Sequence, residues 1–482
     1  MYFLFVLFLL AALTCFTLGY WRKVRYWQRR HVPCPRQHWL WGNMEGYKHQ
    51  RSFNDIFHEF YKEFRQTTLP LFGVYIFVKP VALITDLQLA KRILTKDFSY
   101  FHDRGLYHNP DDLTGNLFTL DYDKWKVFRT NLSPSFTSGK LKRMLTTFIT
   151  TSNVLIEVME QDIMGGDNIL DIKDLMLRYT LEIVGACGFG CQTHSLQNPK
   201  DQFYQLIQNT FIGESNGTVE KLLILAFPKV ARFLKLQYLP ANMIKFYTKF
   251  VKDLLESRKN SKIQYNYIID ILNEMRIEKS GRKLTLNEIT AQTLIFYQAG
   301  YESTAFTLTY TLYELARNGE VQKTAREEII SVLHRHNNQL TYECLSEMKY
   351  LEQVLKEILR LYPVSPLIIR QCSADYPLPT HPDIIIAKGQ MVIIPAYSFQ
   401  RDENYFHQAE TFNPDNFAAD RSDSSFLLSF GEGPRNCIGM RFAKLQMTVG
   451  LILLLSRFSF SFCDKTENPI VLTTSKWYIF KS

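Results

Sequence analysis

A single cysteine inside a glycine-rich segment places the strongest constraint on this chain. Residues 430–439 read Phe-Gly-Glu-Gly-Pro-Arg-Asn-Cys-Ile-Gly, and an apolar stretch with helical spacing follows over residues 440–455. Cys437 therefore lies where a helix begins, and the unpaired N–H groups and dipole of a helix N-terminus favour a thiolate over a thiol. The glycines allow the backbone to turn sharply and to lie close against a flat partner. The segment predicts a loop that presents a thiolate to a flat group.

Arg435, two residues before the cysteine, offers a guanidinium fork to a carboxylate. A thiolate beneath a flat group that carries carboxylates suggests haem with Cys437 as axial ligand. The alternative is an ordinary glycine-rich loop around a buried structural cysteine. The segment is similar to the haem-binding loop of the cytochrome P450 family, F-x-x-G-x-R-x-C-x-G, and fits it at every fixed position. Further motifs of that family recur in the same order over nearly the whole chain. The resemblance implies haem b and the cytochrome P450 fold, mainly α with a smaller β-rich part.

The charge of the chain is concentrated near its N-terminus. The 482 residues carry a net charge of +9, and no acidic residue precedes Glu45. Six bases before it contribute +6 of this charge: Arg22, Lys23, Arg25, Arg29, Arg30 and Arg36. Composition therefore gives no indication of a nucleic-acid-binding body, which needs a basic patch on the folded domain. The eight scattered cysteines indicate free thiols in a reducing compartment.

Residues 1–21 are almost wholly apolar and uncharged, and a stretch of this length can span a bilayer. The basic run follows at once, and the positive-inside rule places it in the cytosol with the rest of the chain. A cleaved signal peptide is the rival interpretation, but no charged segment precedes the apolar stretch. We expect a membrane anchor over 1–21, a basic and proline-containing tether over 22–45 and a catalytic domain over 46–482. Aromatic residues near the anchor, Trp21 and Trp27 among them, suit the membrane interface.

The body reads as one integrated unit, without repeats or low-complexity linkers. Residues 53–64 predict an amphipathic helix. Residues 71–78 and 81–85 are β-rich runs separated by Lys79-Pro80, which predicts a hairpin. From residue 86 onward the pattern is mostly helical. We therefore expect a small β-rich part near the N-terminus and a large helical part.

Four further positions of the resemblance concern the carboxylates (propionates) of the haem. Trp125 and Arg129 lie four residues apart on one predicted helix face, and the family's W-x-x-x-R places this pair on a propionate. Arg104 and Arg370 match positions at which relatives offer additional propionate contacts, and Arg435 belongs to the haem loop itself. Taken alone, Trp125 and Arg129 would favour a surface helix with one buried tryptophan.

Residues 287–317 predict one long helix with Ala-Gly-Tyr-Glu-Ser-Thr at its centre, residues 299–304. The family pattern there is A/G-G-x-D/E-T above the haem, where an acid and an alcohol relay protons to bound dioxygen. The resemblance thus assigns Glu302 and Ser303 as catalytic residues, with Ser303 where threonine is usual. Thr304 is an alternative shifted by one residue, although it points about 100° away on a helix. A serine that bonds its own backbone is the ordinary interpretation.

Residues 350–361 predict a helix that contains Glu357 and Arg360, spaced to pair on one face. This spacing usually marks a surface pair, but the sequence is very close to the family's buried E-x-x-R lock behind the haem loop. The third partner of that lock is normally an arginine, and here it is Asn416, which brings no charge. We therefore expect weaker bracing of the cofactor. Gln400 also departs from relatives, which often have histidine there.

The resemblance implies a haem-thiolate monooxygenase that inserts one oxygen atom of O2 into a lipophilic small molecule. It is greatest to animal microsomal members, insect ones especially, which implies the endoplasmic reticulum membrane and metabolism of xenobiotics or of endogenous hormones and lipids. Electrons would come from NADPH through a reductase carrying FAD and FMN, with a small haem protein as a further donor. Bases that could form the docking face are Lys124, Lys126, Lys140, Lys142, Arg143, Arg441 and Lys444. A haem-thiolate isomerase or dehydratase, or a non-enzymatic haem or lipid binder, is the alternative.

Overall fold

The computed structural model describes residues 17, 19–47, 51–109, 111–166, 169–201, 203–205, 207–208, 224, 227–259, 267–277, 284–419 and 426–470.

Helices make up most of the described chain. Those of eight residues or more are Phe53–Phe64, Leu87–Leu94, Tyr122–Leu132, Ser138–Met164, Ile172–Val184, Ala241–Lys259, Ile268–Ile277, Leu286–Arg317, Gly319–Arg335, Lys349–Leu361 and Met440–Arg457. Shorter helical segments are Gln28–Arg30, Phe98–Tyr100, Ser133–Phe136, Gly185–Phe189, Pro228–Phe233, Tyr342–Leu345, Ala396–Phe399 and Pro414–Phe417. A mainly α chain with a smaller β part is thereby confirmed, as are the helices predicted around the family motifs.

Leu286–Arg317, called the long helix below, begins with a capping box. The Thr285 hydroxyl accepts from the Glu288 N–H at 3.1 Å, and the Glu288 carboxylate accepts from the Thr285 N–H at 3.0 Å. Both bonds satisfy N–H groups that a helix start leaves unpaired. The long helix then packs closely on Ile172–Val184, because a Cβ on Gly300 would lie 2.8 Å from the Val184 side chain. One side of the middle of the long helix is thus packed against Ile172–Val184.

The main sheet has four strands in the order β1 (Leu71–Ile76), β2 (Lys79–Ile84), β6 (Met391–Ile394) and β3 (Ile368–Gln371). β2 and β6 are parallel, and the other two pairs are antiparallel. Tyr376–Pro377 and Ile385–Ile386 form a separate pair, β4 and β5. The predicted hairpin exists, but its turn is not Lys79-Pro80.

The hairpin turn lies at Phe77 and Val78, where Phe77 has a φ of 54°, while Lys79 and Pro80 begin β2. Pro80 is tolerated there because it lies near the start of its strand. The expectation that the β-rich part lies near the N-terminus is also too narrow, since β3 and β6 come from beyond residue 367. β6 is buried on both faces and therefore gives a continuous apolar run without alternation, whereas β3 is only four residues long, too short for a clear pattern.

Trp27, predicted at the membrane interface, is instead a core residue that is 1% exposed. Its indole N–H donates to the Val74 carbonyl at 3.2 Å, and its ring fills the space beside Gly73, where a Cβ would lie 2.2 Å away. A segment assigned to the tether therefore packs on β1. Most of the predicted anchor, residues 1–16 and 18, lies outside the described residues. Within the described part of the chain, no helix is both long enough and apolar enough to cross a bilayer.

We expect His58 to make the protein sensitive to acid. Burial, with Lys62 as a further cause, lowers its pKa to about 4 from an ordinary 6.5. Between these two values the unfolded chain binds a proton that the folded protein does not, so stability falls as the pH drops through 6.5 towards 4. The loss at pH 5 is about 2 kcal/mol.

The measurement is urea unfolding of the wild type and of His58→Gln at pH 7 and pH 5. Glutamine cannot gain the charge, so the variant should lose correspondingly less stability. His407→Gln, an exposed position, serves as control and should behave as the wild type does. Equal acid losses in His58→Gln and the wild type would contradict the assignment.

Candidate functional site

The backbone of residues 428–439, called the cysteine loop, is folded by its own hydrogen bonds. The Gly431 N–H donates to the Leu428 carbonyl and the Cys437 N–H to the Phe430 carbonyl, both at 2.8 Å. Gly433 has a φ of 71°, and a Cβ there would lie 1.8 Å from the Leu94 carbonyl oxygen. Glycine is therefore required at this position both by conformation and by close approach. These contacts present Cys437 at the start of the helix Met440–Arg457, as predicted.

Cys437 has an accessible side chain although it lies deep among protein atoms, so its thiol lines a recess. Burial raises the pKa of this thiol, while the Gly439 N–H and the charges of Arg129 and Arg104 act in the opposite direction. The Gly439 N–H thus favours the thiolate, as expected for a helix start, but burial has the larger effect on the thiol of the protein alone. Coordination to a metal ion would reverse it, since a coordinating thiol is deprotonated.

Four arginines, called the arginine cluster, gather near Cys437 from distant parts of the sequence: Arg104, Arg129, Arg370 and Arg435. Burial and the charges of the other three lower the pKa of Arg104 well below its ordinary value. Arg104 donates to the Phe118 carbonyl at 2.7 Å and lies over the Phe118 ring at 4.2 Å. The mutual repulsion of these cations means that the cluster favours an anionic partner.

Arg370 and Arg435 have N–H groups without a hydrogen-bond partner among the described residues. Arg370 is 1% exposed, donates to the Ile369 carbonyl at 2.9 Å, and its Nε has no hydrogen-bond partner among the described residues. Arg435 donates to the Leu120 carbonyl at 2.8 Å, while its Nε and Nη1 have none there. Burial lowers the pKa values to about 9 for Arg370 and about 10 for Arg435. Because guanidinium groups stay protonated in proteins, these values indicate a need for carboxylates.

Asp103 supplies one such carboxylate, 3.5 Å from Arg435. Sequence reasoning missed it, although it directly precedes Arg104. Reasoning also missed Asn436, whose carbonyl and side-chain oxygens accept from Arg129 at 2.8 and 2.6 Å. Arg129 therefore fastens the helix Tyr122–Leu132 to the cysteine loop. Burial lowers the pKa of Arg129, and the opposing effect of Cys437 is smaller.

Trp125, the other member of the predicted pair, is 5% exposed. Its ring lies 4.5 Å from the Arg435 guanidinium carbon, a cation–π distance. Trp125 and Arg129 thus belong to the same site but contact different residues of the cysteine loop.

The long helix carries an accessible stripe at its middle. Ala299 is exposed and Ser303 is half-buried, whereas Glu302 is 9% and Thr304 2% exposed. The Ser303 hydroxyl donates to the Ala299 carbonyl at 2.5 Å, which is the backbone bond anticipated for an ordinary serine. The Thr304 hydroxyl has no hydrogen-bond partner among the described residues. Ser303 is therefore the hydroxyl that a ligand can reach.

Phe136 connects this stripe with the cysteine loop. Its ring is stacked on Phe296 of the long helix with centroids 6.1 Å apart, and a Cβ on Gly439 would lie 3.9 Å from it. Phe296 is one turn before Ala299 and Gly300 on the long helix. Phe136 therefore lies between Phe296 of the long helix and Gly439 of the cysteine loop.

The lock predicted for Glu357 and Arg360 is fully buried in the helix Lys349–Leu361, called the lock helix. Arg360 donates to both Glu357 oxygens at 2.7 Å, and both side chains are 0% exposed. Asn416 donates to the same carboxylate at 3.1 Å, and so does the Asn413 N–H at 2.9 Å. Asn416 therefore occupies the third position with a neutral donor, and the weaker bracing expected from it stays a prediction.

A cavity of about 580 Å³ lies elsewhere, between the end of Phe53–Phe64 and the start of Leu87–Leu94. Arg65, Arg92 and His381 line it together with threonines and leucines. Both arginines already have carboxylate partners, Asp402 and Asp97. The chemistry of the chain therefore points to Cys437 and the arginine cluster as the candidate site.

The chain is similar to known proteins over nearly its whole length. The family model described as Cytochrome P450 matches residues 32–480. Cytochrome P450 6a2 of Drosophila melanogaster is 39% identical over 97% of this chain and 96% of its own length. Probable cytochrome P450 6a21 of the same fly is 38% identical over 98% and 95%, and Cytochrome P450 6A1 of Musca domestica 35% identical over 97% and 94%.

Proposed function

We propose that this chain, which belongs to the cytochrome P450 family, oxidises lipophilic small molecules with electrons that NADPH supplies through a flavoprotein reductase. Membership makes it a haem monooxygenase. Beyond family membership, we propose the electron donor, the substrate class, the membrane location and the roles of individual residues.

The observation that carries the proposal is a recess thiol beside a surplus of buried arginine N–H groups. Haem b needs one axial ligand from the protein and partners for its two carboxylates, and the donors present here suit both needs. Cys437 would hold the iron, while Arg104, Arg370 and Arg435 would take the carboxylates. When bound, the haem would supply the activation of dioxygen.

The remaining chemistry belongs to the chain. Arg129 would keep the cysteine loop in place through Asn436, and Trp125 would keep Arg435 oriented. Ser303 would hold a proton at its Oγ on the accessible stripe, and Glu302, buried one residue earlier, would replenish it. An apolar substrate would lie against Phe296 and Ala299. Burial of the substrate there would exclude water from both side chains.

A basic surface beside the cysteine loop supports an acidic electron donor. Lys124, Lys126 and Arg143 are exposed, and Arg441 lies 3.5 Å from the Ser138 hydroxyl, which brings this base to the start of the helix Ser138–Met164. Lys142 is paired with Glu343 at 2.5 Å and contributes less. Such a charged surface mainly accelerates encounter with a partner of opposite sign.

Substrate class and location rest on the insect relatives and on the sequence. We propose xenobiotics or endogenous hormones and lipids as substrates. We further propose attachment to the endoplasmic reticulum through residues 1–21, with residues 22–45 as tether and 46–482 as cytosolic catalytic domain. Because Trp27 is locked against Gly73, the tether would leave the body at a fixed place.

The test is reconstitution of the full chain with haem, reductase and NADPH, followed by the spectrum of the reduced, carbon monoxide-bound protein. A strongly red-shifted Soret band supports thiolate ligation and electron delivery together. Cys437→Ser should lack the band, whereas Cys34→Ser, at a half-buried thiol, should keep it. The band with dithionite but not with reductase would overturn the proposed electron route and favour an isomerase or dehydratase. Its absence under both conditions would overturn the catalytic proposal.

Ser303→Ala should separate NADPH consumption from product formation. A positioned general acid contributes ~10²–10⁴-fold, so we expect product formed per NADPH to fall by ~10-fold or more, and Ser303→Thr to retain it. Thr309→Ala is the matched control, because Thr309 makes the same bond to the carbonyl four residues earlier, at 2.8 Å. An unchanged ratio in Ser303→Ala would show that the Ser303 hydroxyl only bonds the backbone of its own helix.

A further inference from the structure

Gln400 occupies a junction between the lock helix and the cysteine loop. It is 0% exposed, and its side-chain amide makes three hydrogen bonds. Nε2 donates to the Leu359 and Arg360 carbonyls at 3.2 and 2.9 Å. Oε1 accepts from the Leu428 N–H at 2.8 Å and lies 3.1 Å from the Ser429 hydroxyl, which donates its single proton to the Leu359 carbonyl at 2.5 Å. Both donors of the amide and one of its acceptor positions are therefore used.

Each of these partners needs the bond for its own reason. The carbonyls belong to the last turn of the lock helix, where helical partners are missing. Leu428 and Ser429 begin the cysteine loop, and the Leu428 carbonyl in turn accepts from Gly431 at 2.8 Å. The Gln400 backbone carbonyl also accepts from Arg360 Nη1 at 2.7 Å. One residue thus joins the buried ion pair to the segment that carries Cys437.

We infer that Gln400 is a positioning residue for the Cys437 thiolate, which acts by fixing the start of the cysteine loop against the end of the lock helix. The inference rests on the proposed role of Cys437 as haem ligand. A neutral histidine has one donor and one acceptor, and a glutamate has no donor. Only a carboxamide satisfies two carbonyls and an N–H at once. Gln400 therefore adds a link that a histidine could not make.

Gln322 provides a control with nearly the same chemistry. It is 6% exposed, donates to the Leu315 and Phe460 carbonyls at 3.0 Å each, and accepts from the Phe460 N–H at 2.8 Å and the Ser459 hydroxyl at 3.3 Å. None of these partners belongs to the cysteine loop. Substitution of either glutamine should cost stability, but only Gln400 should affect the thiolate.

The experiment compares Gln400→Glu and Gln400→His with Gln322→Glu and Gln322→His, each as the full-length haem-loaded chain. Three quantities are measured: the Tm, the rate of haem transfer to apomyoglobin, and the thiolate-ligated fraction in the reduced carbon monoxide spectrum. We expect the Tm to fall at both positions. Residues that orient a metal ligand typically change affinity by ~10–100-fold. We therefore expect haem transfer to become at least ~10-fold faster in Gln400→Glu, with a lower thiolate-ligated fraction, and less so in Gln400→His.

The inference fails if the Gln400 variants lose haem and thiolate ligation no faster than the Gln322 variants at comparable Tm. It also fails if Gln400→Glu retains wild-type values. Where Gln400→Glu does not fold, the milder histidine pair decides by the same contrast. A wild type without the red-shifted band would instead refute the proposed function.

Discussion

Glu357→Gln is expected to destabilise the protein by about 3–5 kcal/mol, because it leaves the Arg360 charge buried without its counter-ion. Arg360 is surrounded on every side: besides Glu357 it donates to the carbonyls of Gln400, Ala409 and Thr411 at 2.6–3.0 Å. With a total stability of about 5–15 kcal/mol for a typical protein, such a loss should strongly reduce the folded, haem-containing yield. The measurement is urea unfolding, together with haem content per chain.

The same helix contains an exposed pair for comparison. Lys356 lies 3.0 Å from Glu352, with side chains 21% and 50% exposed. Glu352→Gln removes one carboxylate just as Glu357→Gln does, but solvent screens the charge that remains, so the cost should stay below about 1 kcal/mol. Similar costs for the two variants would mean that burial of the lock does not determine its strength.

The lock illustrates what the sequence could and could not predict. Residues 357 and 360 lie three apart on a helix, so local spacing was enough to place them together. Their burial followed only from resemblance, because the carbonyls that surround Arg360 come from residues 400, 409 and 411. The hydrogen bonds of Gln400 were not predictable for the same reason. The sequence around a glutamine indicates neither how deeply the side chain is buried nor which distant residues it contacts.

The arginine cluster shows the same limit for the candidate site. Its members lie at positions 104 to 435, and the resemblance indicated each of them separately. Their mutual repulsion, the ion pair of Asp103 with Arg435 and the contact of Arg129 with Asn436 depend on tertiary packing. The net direction of the thiol pKa was not predictable from the sequence, because the effect of a helix start is local whereas burial depends on the whole fold. Trp27 was misplaced because proximity in sequence to an apolar segment does not predict which surface a ring covers.

Arg370→Met should change the haem-free and haem-loaded proteins in opposite directions. Arg370 is buried and forms no ion pair among the described residues, and a buried uncompensated charge costs several kcal/mol. Methionine of similar length removes that cost, so we expect the haem-free chain to gain about 3 kcal/mol of stability. Loss of a carboxylate partner should accelerate haem release by ~10–100-fold. Unfolding of the haem-free chain and haem transfer to apomyoglobin measure the two effects.

Arg178 is the matched control for this opposite behaviour. It is 6% exposed, but it is paired with Asp174 at 2.8 Å and donates to the Leu196 carbonyl at 2.6 Å. Arg178→Met should therefore lower stability with and without haem, because it leaves a carboxylate and a carbonyl without their donor. If Arg370→Met also destabilised the haem-free chain, Arg370 would be satisfied by the protein itself. The cluster would then be a structural network, and the surplus of positive charge would no longer argue for a ligand with carboxylates.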